Sequence, residues 1–159
     1  MKGIIGVDCS TKNITAVILS PDGEIMAMIF IGSELKDMDE RLVELGTGFQ
    51  EKLSSNVVCG EDFAAFVENA IYLNNSKVTI GIAQVVGVVK FLLESRGIKC
   101  FGVDNRSWKK FVLANGRADK EKIMKFAKVK WGASITSQDE ADASCLSLFG
   151  VMRVVGSVR

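Results

Sequence analysis

The sequence predicts an α/β fold: a mixed five-stranded sheet, three antiparallel strands followed by parallel ones, flanked by helices. Three observations predict it. Residues 14–19 and 24–31 are β-branched runs joined by Ser-Pro-Asp-Gly, where Pro21, Asp22 and Gly23 supply hairpin turn chemistry. Two further apolar runs, 4–8 and 63–68, each end in a carboxylate. Beyond the hairpin, stretches with helical spacing alternate with strand-length runs, which implies β-α-β connections.

In chain order, the first strand is 4–8 and the hairpin supplies the next two. Over 37–53, Met38, Leu42, Leu45, Phe49 and Leu53 trace one helical stripe despite Gly46 and Gly48. After the strand at 63–68, residues 76–96 read as a long apolar helix with Ser76 as a cap and Gly97 as a stop. Its small residues Gly81, Ala83 and Gly87 would let another backbone approach, within this chain or from a second copy. A strand at 98–103 follows, then helices at 106–113 and, capped by Asp119, 119–131, with a glycine-containing loop at 114–118 between them. The last helix, 137–151, starts on Ser137 and Glu140 at capping-box spacing. We expect a single domain over 1–152 and a short tail at 153–159.

Composition narrows the chemistry. The chain has 159 residues and no histidine, which removes histidine general bases and nucleophile-histidine pairs. Its four cysteines, Cys9, Cys59, Cys100 and Cys145, are far apart without a C-x-x-C pair, which argues against zinc and for reduced core thiols. No apolar run approaches 18 residues and no leader pattern opens the chain, so we expect a cytoplasmic protein with no membrane partner. The formal net charge is only +1, but residues 104–130 hold nine cations against three acids, a local +6 against −5 elsewhere. One face should therefore attract polyanions.

The acids carry the functional reading. Asp8 closes an apolar strand, so its charge should lose hydration unless a metal or a basic partner compensates. The alternative is a turn former, with Ser10 and Thr11 bonding local backbone. Asp139 and Asp142 stand three apart on one helix face; two carboxylates at about 4 Å repel by on the order of 4 kcal/mol at an effective dielectric near 20. A solvated helix start is the competing explanation, since the helix dipole favours acids there. If Asp8, Glu68, Asp139 and Asp142 converge, they suit two Mg²⁺ ions and the hydrolysis of a phosphodiester.

Five segments together resemble the RuvC-type Holliday-junction resolvases of the ribonuclease H-like superfamily. They are Ile-Ile-Gly-Val-Asp-Cys-Ser-Thr at 4–11, Asp-Phe-Ala-Ala-Phe-Val-Glu-Asn at 62–69, Gly-Ile-Ala-Gln-Val-Val-Gly at 81–87, Asn-Gly-Arg-Ala-Asp-Lys at 115–120 and Asp-Glu-Ala-Asp-Ala at 139–143. The resemblance implies a Mg²⁺-dependent endonuclease, two ions per site with Mn²⁺ as a substitute, cutting four-way and other branched DNA. It implies Asp8, Glu68, Asp139 and Asp142 as metal ligands and catalytic acids, with Lys120 as a catalytic lysine and Lys109 as its functional companion. Arg106, Lys110 and Arg117 join those two lysines as DNA-binding residues. It also implies a homodimer paired through the 76–96 helix, and a chain this compact suits a phage or bacterial source.

The chain departs from the family at three places. Some members carry histidine where Asp139 stands. Glu140 is a competing ligand or a cap. Many members carry an aromatic three residues after the second acid; here that position is Ile71, and its neighbour Tyr72 is the candidate for stacking on a base, or simply a buried ring.

Other functions fit less well. Gly-Val-Asp-Cys-Ser-Thr-Lys also resembles the phosphate loop of sugar kinases and actin-like proteins, but enclosing a nucleotide takes two such domains. A non-catalytic DNA-binding module would gain nothing from four acids facing phosphates. A nuclease of this fold acting on flaps or forks remains close to the preferred reading.

Overall fold

The antiparallel opening of the sheet follows from its turn. Ser20 N donates to Glu24 O at 2.8 Å and Gly23 N to Ser20 O at 2.9 Å, with Gly23 at φ 86, a backbone region that favours glycine. This closes β2 (Asn13–Leu19) onto β3 (Ile25–Gly32), while β1 (Gly3–Cys9) pairs antiparallel with β2 on its other side. β4 (Phe63–Glu68) then runs parallel to β1, and β5 (Lys99–Val103) parallel to β4, giving the order β3-β2-β1-β4-β5. In this computed structural model the described residues are 1–58, 60–70 and 74–154. Cys59, Ile71, Tyr72 and residues 155–159 of the expected tail lie outside them.

Each helix begins on a side-chain cap. Asp37 Oδ1 accepts from Asp39 N and Glu40 N at the start of α1 (Met38–Asn56). The cap of α2 (Ser76–Glu94) is Asn75 and not Ser76: the amide oxygen one residue earlier accepts from Lys77 N and Val78 N. Gly97, at φ 74, follows its end. Asp104 caps α3 (Asn105–Leu113) and Asp119 caps α4 (Lys120–Trp131). α5 (Gln138–Val154) runs three residues past the expected end at 151, because Val154 still packs against the core; residues 153 and 154 are therefore helix, not tail.

Two apolar clusters lie on opposite sides of the sheet. Ile4, Val17, Leu19, Ala64 and Phe66 face α3, α4 and α5, while Ile5, Val7, Ile18, Ala65 and Val67 face α1 and α2, as strand alternation requires. One expectation needs correction here. α2 is long and apolar enough to cross a bilayer by length and composition, with mean hydropathy 1.6, so an apolar run does reach 18 residues. In this fold Val85, Val89 and Leu93 pack its inner side onto the sheet, but only 28% of that window is buried.

α5 sits unusually close to β1, and glycine is the reason. A Cβ built on Gly6 would lie 2.2 Å from Ala143 O and 2.3 Å from Ser147 N, and one on Gly150 would lie 2.4 Å from the Phe66 ring. Ser147 Oγ donates to Ile4 O at 2.7 Å, locking the contact. α5 thus runs antiparallel to β1, with its N-terminal turn at the end where Asp8 stands.

Candidate active site

Strand alternation places Asp8 on the α5 face together with Ile4 and Gly6, and Glu68 on the same face together with Ala64 and Phe66. Because β1 and β4 are parallel, with Val7 opposite Val67, the two carboxylates leave the sheet side by side at the same end. The first turn of α5 brings Asp139 and Asp142 to that end. Asp8 therefore meets three other acids, and its pKa shows it: burial, then Asp142, Glu68 and Asp139, push it up to about 8. Asp142 is pushed up to about 6 by burial and by Glu68 and Asp139, against the opposing effects of a Gln138 hydrogen bond and the Lys109 charge.

Neutral donors hold these acids in place. Asn13 Nδ2 donates to Asp139 Oδ2 at 2.7 Å, and Gln138 Nε2 to Asp142 Oδ1 at 3.2 Å. Asn105 Nδ2 and Trp108 Nε1 donate to the two oxygens of Glu68 at 2.6 and 2.7 Å. Among the described residues no lysine or arginine is ion-paired with any of the four; the pairs Lys2–Asp62 and Lys12–Glu34 do not involve them. Also among the described residues, no three acids close on one point tightly enough to cage an ion. The four are gathered and mutually repelled, and the Lys109 charge offsets this in part at Asp142. Such a pocket attracts cations, and its donors are the hard oxygens that Mg²⁺ and Mn²⁺ take.

Glu140 serves as a cap. Its Oε2 accepts from Thr136 N, Thr136 Oγ1 and Ser137 N, while Glu140 N donates to Ser137 Oγ. Partial burial raises its pKa, but these bonds outweigh that and hold it below the usual range. Cys9, next to Asp8, keeps its proton because burial pushes the thiol well up. Cys100 and Cys145 are likewise free thiols, raised to about 11 and 12 by burial.

Of the expected cations among the described residues, Lys109 is the one whose charge is felt at the acids. Lys109 on α3 is half-buried, its ammonium 5.4 Å from the Trp108 ring centroid and its charge felt at Asp142. Arg106, Lys110, Arg117 and Lys120 are exposed on α3, on the following loop and at the first position of α4. Among the described residues Lys120 makes no hydrogen bond or ion pair with the four acids. Tyr72 lies outside the described residues.

Reading the sequence missed Asn13, Asn105, Trp108 and Gln138, which anchor three of the four acids. Only Gln138 carried a signal, four residues before Asp142 on one helix face. The others meet their acids through tertiary packing.

A family model described as Crossover junction endodeoxyribonuclease RuvC matches residues 4–149. A Crossover junction endodeoxyribonuclease RuvC from Brachyspira hyodysenteriae is 29% identical over 84 residues, 53% of this chain and 52% of that protein, so the match spans about half of that relative. Thermus thermophilus RuvC in complex with a Holliday junction substrate has TM-score 0.80 at 14% identity, covering 99% of this chain and 98% of that one. The yeast mitochondrial Holliday junction resolvase Ydc2 has TM-score 0.64 at 14% identity, covering 94% and 77%. At such identities the structural likeness is one of fold.

Proposed function

The chain belongs to the RuvC family of crossover junction endodeoxyribonucleases, and from that premise we propose that it cleaves four-way DNA junctions, using divalent cations held by Asp8, Glu68, Asp139 and Asp142. The observation that carries this reading is the placement of Asp8 and Glu68 at the same end of two neighbouring parallel strands, with Asp139 and Asp142 brought to that end by α5, a crowding that with burial pushes the Asp8 carboxyl up to about 8. Two Mg²⁺ ions, or Mn²⁺ in their place, would activate a water and stabilise the leaving oxygen of the phosphodiester.

The remaining steps fall to the protein. Gln138 and the Asn13 amide hold Asp142 and Asp139 pointing into the pocket. Lys109, between Trp108 and Asp142, is placed to offset charge on a phosphate entering from the α3 side. Arg106, Lys110, Arg117 and Lys120 continue that side as a track for the DNA backbone, which makes binding salt-dependent. We assign Lys120 to this track, and extend the same proposal to a single nuclease domain that includes all of α5.

A homodimer fits the outer side of α2. Phe91, 70% exposed, lines an apolar groove with Leu42 and Val43 of α1, Val88 and Leu92, and Ile80 on the same helix is 58% exposed. An uncovered apolar surface of this kind is what a twofold contact would bury. Two sites related in that way suit cuts in two opposed strands of a symmetric junction.

The direct test is a panel of synthetic four-way junction, fork, flap and linear duplex incubated with Mg²⁺ or Mn²⁺. The four-way junction is expected to be nicked in opposed strands while linear duplex stays intact; equal cutting of linear duplex would overturn junction selectivity. A stability measurement tests the cation pocket separately. Asp8 is raised in the folded chain, so its contribution is fully present below pH 3.8 and is lost as pH rises through about 8. Metal-free protein should melt progressively lower from pH 4 to pH 8, and millimolar Mg²⁺ should restore about 5 °C at pH 8 but almost nothing at pH 5. A melting temperature that Mg²⁺ leaves unmoved at pH 8 would count against the pocket as a cation site.

A further inference from the structure

Glu68 pairs with Val103 across the β4–β5 ladder, so α3, which starts two residues after Val103, emerges directly beside that carboxylate. Asn105 and Trp108 are three apart and share the helix face turned toward it. Together they donate to both of its oxygens, at 2.6 and 2.7 Å. Trp108 is completely buried within the core cluster that includes Ala118 and Ile123, so its N–H has a fixed direction.

Two features separate this arrangement from ordinary satisfaction of a buried indole. The acceptor is a carboxylate in a pocket of like charges, where burial is costly, although a neutral carbonyl would satisfy the indole as well. Both donors are neutral, so they orient the carboxylate without cancelling its charge, and each oxygen keeps a lone pair for a cation. Fixing a ligand through its outer hydrogen bonds is how proteins set the affinity of a metal site. Trp108 also carries the Lys109 ammonium over its ring at 5.4 Å, which ties the phosphate side of the site to the same indole.

We propose that Asn105 and Trp108 are positioning residues that hold the Glu68 carboxylate in its cation-binding orientation and thereby set the divalent-ion affinity of the site. This rests on the assignment of Glu68 as a metal ligand.

The test is Mn²⁺ binding to the full-length protein by calorimetry without DNA, alongside the Mg²⁺ dependence of junction cleavage, for Trp108→Phe and Asn105→Ala. Trp108→Phe keeps an aromatic ring in the core while removing the N–H donor and part of the indole volume, a packing loss that a melting curve reads separately. It is expected to weaken Mn²⁺ binding about 10-fold and to raise half-saturating Mg²⁺ by a similar factor, with cleavage recovering at high Mg²⁺. Asn105→Ala, which leaves the core untouched, should shift both in the same direction. Leu53→Ala, in the core on the other side of the sheet, should lower the melting temperature and leave both metal readouts in place. Wild-type ion affinity in Trp108→Phe and Asn105→Ala would overturn the positioning role alone. Failure of the wild-type protein to bind Mn²⁺ would overturn the cation site and this inference with it.

Discussion

Asp8→Asn is expected to remove junction cleavage, a loss of at least ~10³-fold, while leaving junction affinity within about twofold of wild type. The two outcomes separate because Asp8 has one task. It stands on the central strand of the sheet, flanked by Glu68 across the parallel ladder and facing the first turn of α5, so it is the carboxylate that every other one acts upon. Asn has the same shape and cannot carry the charge. On the proposed reading, DNA affinity comes from the basic residues of α3, the loop after it and α4, which the substitution does not touch. The same change should raise the melting temperature of metal-free protein at pH 8, since it deletes a buried charge repelled by three neighbours. A cleavage assay, a binding titration and a melt on one preparation check all three; cleavage by Asp8→Asn at the wild-type rate would remove Asp8 from the reaction.

Gly6→Ala is expected to be severely damaging. Its Cβ would fall 2.2 Å from Ala143 O, 2.3 Å from Ser147 N and 2.8 Å from Ser147 Cα. All three are backbone atoms, so no rotamer change relieves the clash and α5 has to move as a unit. The Ser147 bond to Ile4 O goes with it, as does the packing of a helix buried almost throughout from Ala141 to Val151. A loss above about 4 kcal/mol follows, a fall of roughly 10 °C or more in melting temperature. Asp139 and Asp142 ride on the displaced helix, so activity should fall even where the chain stays folded. Thermal denaturation together with the junction assay at 20 °C below the midpoint checks both, and a midpoint within about 3 °C of wild type would show that α5 tolerates the shift.

These two cases also mark how much was legible in the sequence. The strands were readable because each has a local signature: the Pro21-Asp22-Gly23 turn, and the apolar runs ending in Asp8 and Glu68. Helix bounds followed from caps, and the one misplaced cap, Ser76 for Asn75, came from choosing between adjacent residues that both accept hydrogen bonds. Asp8 and Glu68 were readable because charge at the end of an apolar run is costly and therefore conspicuous, and Asp139 and Asp142 because they stand three apart on one helix face. What holds them was not. Asn13 reaches Asp139 across 126 positions of chain and Trp108 reaches Glu68 across 40, and neutral amides and indoles leave no mark of that in a linear pattern. The role of Gly6 was equally hidden, since a glycine in a strand does not announce which backbone will press against it.

The end of the sheet order at β3 has a practical side. From Ile25 to Gly32 this border strand carries no charge, no proline and no lysine, and it shows Met26 at 54% and Phe30 at 60% exposure. Proteins ordinarily guard such borders with a gatekeeping charge, because a bare backbone rim invites a stranger's strand to zip onto it. Concentrated stocks of this protein are therefore expected to self-associate along that rim, and Met26→Lys is expected to slow the process in a light-scattering time course.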